Sequence, residues 1–142
     1  MPPRRRRLIA LLALAVVVAA GLVVHLALPS SDAADIAGDA LYTVAVYGGL
    51  VVVFPRLRPL VVALVAGGWS LGVELFQATG VPADLAERFR PIALVLGTGF
   101  DPRDLVVSAC AAAVVGMTDA ATGRALRGET TRPEAPPRGT SA

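Results

Sequence analysis

Apolar residues in this chain do not recur at the spacing of a helix with one wet face; they run almost unbroken. One run covers residues 8–28, a second 36–54 and a third 60–79. A fourth begins near Pro102 and passes through LVVSACAAAVVGM to about Ala121. Short polar breaks separate the first three, PSSDAAD at 29–35 and PRLRP at 55–59, whereas 24 residues, 80–103, precede most of the fourth. A bilayer-spanning helix needs about 20 mostly apolar residues. A helix on a soluble core would show polar positions at a 3.6-residue period. Residues 8–20 and 44–54 are apolar or small nearly all round. The pattern predicts an all-α polytopic membrane protein, a bundle of four transmembrane helices with one longer outer loop between the third and fourth.

The ends of the runs carry their own signals. A signal peptide also opens on a basic patch, but its apolar core is about 7–15 residues and ends in small residues. The first run here is longer and ends in His25, Leu26 and Leu28, which predicts a retained helix. Gly80 and Pro82 suit the stop of the third helix. Residues 83–90 (ADLAERFR) read as a short interfacial helix with Leu85 and Phe89 on one face. The apolar stretch 91–100 is too short to span and reads as a segment that dips in and returns. The organisation expected is a basic cytoplasmic segment at 1–7, a membrane domain at 8–122, and a Pro/Thr/Arg-rich tail at 123–142. The tail has the composition of a disordered cytoplasmic segment.

Composition sharpens this picture. Of 142 residues, 55% are hydrophobic and 17% charged, with a mean hydropathy of +0.66. Soluble domains carry about a quarter charged residues. A net charge of +2 leaves no electrostatic footprint for nucleic acid. The single cysteine, Cys110, cannot form an internal disulfide, and no Cys/His cluster suggests a metal. Cys110 reads as a small buried hydrophobe, and no cofactor is expected.

Arginine placement predicts orientation. With the N-terminus inside, the inner segments hold Arg4 to Arg7, Arg56, Arg58, Arg124, Arg127, Arg132 and Arg138, ten in all, against Arg88, Arg90 and Arg103 outside. Both termini are thus expected in the cytoplasm of a cell with an inner membrane.

Polar residues inside the runs then fall at one level. His25 lies three residues from the outer end of the first run, and Asp39 three residues past the outer start of the second. Glu74 and Gln77 sit five and two residues before the outer end of the third, and Asp101 and Asp104 head the fourth. At 1.5 Å per residue, all lie within roughly 8 Å of one interface. The inner halves read as nearly free of polar groups. Glu74 and Gln77 share a helix face, as do Asp39 and Tyr42. Arg90 is the expected cation for this cluster, with Arg88 and Arg103 as competitors. In DPRD, Asp101 fits an N-cap, Pro102 the first helical position and Asp104 the first turn, which a helix start explains by itself. Trp69, Gly67, Gly68 and Gly72 read as packing positions.

These residues carry a resemblance. GDALYTVAVYG (38–48), VELFQ (73–77), Arg90, LGTGFDPRDL (96–105) and Gly116 together resemble a bacterial membrane family known as domain of unknown function 2809, over about residues 7–123. That family is in turn distantly similar to VanZ-like membrane proteins, which share a Glu-x-x-Gln in one helix and aspartates heading a later one. In this chain Ser108 and Ala109 stand where those relatives often carry an asparagine. The resemblance implies functional weight at Gly38, Asp39, Tyr42, Glu74, Gln77, Arg90, Gly97, Phe100, Asp101 and Asp104, and it supplies no activity.

Four functions compete at this stage. One is a binding protein whose outward polar cluster engages an envelope or lipid-associated ligand. Another is a structural or assembly subunit, with a second copy or another membrane protein as partner. A small transporter is weakened by the empty inner halves, since a path wants polar groups in both. An outer-leaflet enzyme would have Glu74 and Asp104 as acid and base, but no nucleophile motif or metal set accompanies them.

Overall fold

The computed structural model describes residues 2–29, 31–89, 91 and 101–130, the last four of these in backbone only. Every regular element among them is an α-helix: α1 Pro3–Ala27, α2 Asp32–Val53, α3 Pro59–Gln77, the short α4 Val81–Arg88, and α5 Pro102–Thr130. Four are long and apolar enough to cross a membrane.

Local chemistry explains where each begins. Proline at the first helical position costs no hydrogen bond, because that N–H has no intrahelical partner; Pro3, Pro59 and Pro102 each open a helix. Ser31 caps α2, its Oγ accepting from Ala34 N at 3.3 Å, and Asp32 and Asp35 follow in the dipole-favoured first turn. Gly80, at φ +78°, makes the left-handed step between α3 and α4, a conformation that side chains rarely adopt. Asp101 caps α5, its Oδ1 accepting from Arg103 N at 2.9 Å.

Two boundaries differ from the pattern of apolar runs. Helix α1 starts at Pro3, so Arg4 to Arg7 are helical rather than a separate basic segment. Helix α5 continues to Thr130, past the break expected after Gly123. One interior glycine costs a helix only about 1 kcal/mol. Thr118, Thr122 and Arg124 each donate to the carbonyl four residues back, at 2.8, 2.8 and 3.3 Å. Arg90 and residues 92–100, which include the proposed dipping segment with Gly97 and Phe100, lie outside the described residues, as do 131–142.

Helices α2, α3 and α5 pack mutually, α1 packs along α2, and α4 leans on the end of α3. Helices α3 and α5 approach each other closely. A Cβ on Gly67 would lie 3.3 Å from Ala112 Cβ, and one on Gly116 would lie 2.8 Å from Ala63 Cβ. Gly68 and Gly72 face open space, so of the three glycines expected to pack only Gly67 does. The outside is strongly apolar: Leu12 is 71% exposed, Leu64 68% and Met117 64%. A water-soluble surface does not carry such continuous apolar faces. The chain is a multi-pass integral membrane protein.

Candidate functional site

Buried polar residues follow one column, stepping four residues at a time. On α2 it passes Asp39, Thr43 and Tyr47; on α3, running the other way, Glu74 and Ser70; on α5, Asp104 and Ser108. A four-residue step keeps side chains on one face of a helix, and here each of those faces turns toward the other two helices.

At one end of the column three carboxylates converge. One oxygen each of Asp39, Glu74 and Asp104 lies within 4.8 Å of the other two. Glu74 is 5% exposed and Asp104 9%, with Asp39 half-buried. Glu74 Oε2 and Asp104 Oδ1 are buried without a hydrogen-bond donor among the described residues. Arg103 provides the nearby cation: its Nε lies 3.8 Å from Asp104 Oδ1, an ion pair too long for a hydrogen bond. The same guanidinium is shared with Asp101 at 3.6 Å and Asp32 at 3.5 Å. A second layer lies one turn deeper, where Thr43 Oγ1 donates to Ser70 Oγ at 3.0 Å and Ser108 is 2% exposed.

Other residues singled out from the sequence fall elsewhere. Tyr42 accepts a hydrogen bond from Trp69 Nε1 at 3.0 Å on an exposed face, so Trp69 is not a core packing residue. Gln77 lies one turn from Glu74 and is half-buried. Asp101 is exposed at the head of α5 and shares the Arg103 guanidinium with Asp104. His25 is exposed on α1 and stands apart from the carboxylates. Cys110 is exposed rather than buried. It lines an open apolar groove of about 620 Å³ between α2 and α5, together with Ile36, Ala40, Val106 and Val114.

The other half of the bundle corrects the expectation of an apolar interior. Arg6, only 8% exposed, extends from α1 to Asp119 on α5. Its Nη2 lies 2.5 Å from Asp119 Oδ2, and its Nη1 donates to Pro55 O at 2.8 Å and Leu57 O at 2.5 Å. Tyr47 Oη donates to Asp119 Oδ2 at 2.6 Å. The group ties the start of α1, the α2–α3 turn and the far half of α5 together. Sequence reading counted Arg6 among the solvated basic residues and overlooked Asp119. The available signal was a lone aspartate in an apolar run, level with the α2–α3 turn when α5 runs parallel to α2. Unlike the carboxylate cluster, this group pairs its charges and fills its hydrogen bonds.

Residues 29–110 match the family model described as "Protein of unknown function (DUF2809)". No curated protein and no solved structure matches the chain. The matched span contains Asp39, Glu74 and Asp104; Arg6 and Asp119 lie outside it.

Proposed function

The chain belongs to the DUF2809 family of proteins of unknown function, and from that premise we propose that it is a binding protein holding a cation, free or carried by an envelope or lipid-associated ligand, between Asp39, Glu74 and Asp104. The observation that carries this reading is the state of Glu74. It is 5% exposed, Oε2 has no hydrogen-bond donor among the described residues, and two further carboxylates face it. A buried carboxylate without partners is costly. Like charges about 4 Å apart repel by roughly 4 kcal/mol even at an effective dielectric of 20. A bound cation offsets both costs. Ionisable groups within spanning helices are expensive, and the usual return is a functional one.

In this proposal the cluster faces the outer leaflet of the inner membrane, with both termini cytoplasmic. The support is the excess of arginine at the opposite end, among 4–7, 56 and 58, and 124 and 127. Reporter fusions at the N-terminus and in the α2–α3 turn should both report the cytoplasm; a periplasmic signal from either would reverse the assignment. The binding reading is tested on purified protein in nanodiscs of phosphatidylcholine. Thermal unfolding is followed while calcium, magnesium, ethanolamine and sodium are each titrated. A saturable rise in the midpoint that Glu74→Gln or Asp39→Asn abolishes supports it. A flat response of the wild-type protein across the panel overturns it.

A further inference from the structure

We infer that the cation held by Asp39, Glu74 and Asp104 is a hard divalent metal ion of about calcium size; this rests on the cation-binding reading and narrows its ligand. Donor chemistry is the first ground. The three residues present only carboxylate oxygens, which suit calcium, magnesium and manganese rather than softer metals. Size is the second. Calcium binds oxygens at about 2.3–2.6 Å, so two on opposite sides of the ion stand about 4.6–5.2 Å apart. The three ligand atoms here lie within 4.8 Å of one another. Magnesium, at about 2.0–2.1 Å, demands near-octahedral geometry and usually keeps several waters, so a set of three protein carboxylates suits it less.

Charge is the third ground. Three carboxylates face one another, and the nearest guanidinium among the described residues, that of Arg103, also serves Asp101 and Asp32. Among those residues it offsets at most one of the three negative charges, and a divalent ion balances the remainder better than a monovalent one. The fourth ground is space. An organic ammonium could direct its N–H groups at the same oxygens, but its carbon stem must leave the site. Glu74 and Asp104 are 5% and 9% exposed, which favours a bare ion. Glu74 Oε2 and Asp104 Oδ1 are both buried without a hydrogen bond among the described residues, so their lone pairs can take an ion, Asp104 Oδ1 keeping only its long contact with Arg103. Each carboxylate can bind through one or both oxygens, which brings the set near the six to eight that calcium takes. Thr43, Ser70 and Ser108 add further hard oxygens one turn deeper.

Calcium titration of the full chain in phosphatidylcholine nanodiscs, read by isothermal calorimetry and thermal unfolding, tests the assignment. Saturable calcium binding is expected, with manganese competing and with ethanolamine and sodium inert at matched ionic strength. Glu74→Gln, Asp39→Asn and Asp104→Asn should each weaken calcium binding at least tenfold. Asp84→Asn, on α4 and outside the group of three carboxylates, should leave it intact. Three separate variants guard against one that fails to insert, and gel filtration establishes which are folded. Stabilisation by ethanolamine but by no divalent ion overturns the metal and leaves the cation-binding reading standing. Calcium binding undiminished in every folded cluster variant also overturns the metal site, because the ion then binds elsewhere. Silence toward every cation overturns both readings.

Discussion

Arg6 and Glu74 are both charged residues in helices that face lipid, and their surroundings differ sharply. Arg6 has Asp119, Pro55 O and Leu57 O as partners, and Tyr47 completes the shell of Asp119. Breaking a buried pair from one side strands a charge, at about 3–5 kcal/mol, whereas replacing both partners with apolar groups is far milder. Arg6→Ala and Asp119→Ala should each therefore lower the unfolding midpoint in detergent sharply, and the double variant Arg6→Met/Asp119→Leu should recover much of the loss. Equal losses in the single and double variants would show that the pair is not coupled. Tyr47→Phe removes one donor to Asp119 and should cost about 1–3 kcal/mol in the same assay. The Thr43–Ser70 hydrogen bond is neutral and lies between helices in a membrane, where such bonds average about 0.6 kcal/mol. Ser70→Ala should accordingly be mild. Had Glu74 been equally well partnered, it would read as structural too; its buried Oε2, without a hydrogen bond among the described residues, sets it apart.

Among the elements, the α3–α5 seam depends on the absence of two side chains. Ala63 cannot swing aside as a long side chain can, so a Cβ on Gly116 at 2.8 Å forces the helices apart. Gly116→Ala should destabilise by about 1–3 kcal/mol, as overpacking does. Gly68→Ala on the neighbouring helix meets nothing within 4 Å and should be neutral or slightly stabilising. If both changes cost the same by thermal unfolding, the seam does not run where the structure places it. Apolar runs alone could not separate these glycines, because both sit in uncharged segments and differ only in the direction they face. The same holds for Trp69 and Cys110. Each lies in an apolar stretch and reads as core, yet each is exposed on the bundle's outer surface, where lipid accepts an apolar side chain as readily as a protein core does. The end of α5 was also illegible, because one interior glycine costs only about 1 kcal/mol and alanine, leucine and arginine around it are good helix formers.

Across the whole molecule the two polar groups lie at opposite ends of one column. Packed apolar positions, Val62, Ala66 and Ala112, share the turns between them with the hydroxyls of Thr43, Ser70 and Ser108. The objection to a transporter based on an empty inner half no longer holds, since Arg6, Tyr47 and Asp119 fill it. That group is closed on itself, however, and only the neutral hydroxyls of Thr43, Ser70 and Ser108 stand between it and the carboxylates among the described residues, with no charged group between. The arrangement suits a site at one end anchored by a lock at the other. Exposure of Cys110 in the α2–α5 groove gives a check on the lipid-facing surface. A charged maleimide should label it poorly in intact membranes and readily after detergent extraction; fast labelling in membranes would put water in that groove.

Membrane residence, helix number and the shared level of Asp39, Glu74 and Asp104 are legible from chain order. Partitioning into lipid is summed along a segment, and depth follows from counting at a fixed rise per residue. The family resemblance was also readable there. Which polar residues meet is a different kind of quantity. It depends on how each helix is rotated about its axis and on which helices touch, and an all-apolar surface leaves rotation unmarked. Packing therefore separated Tyr42 from the cluster and brought Arg103 beside Asp32, 71 residues earlier in the chain. It also carried Arg6 across to Asp119, 113 residues away in the chain. Close contact between α3 and α5 set those rotations, because only positions as small as Gly67 and Gly116 allow the backbones so near.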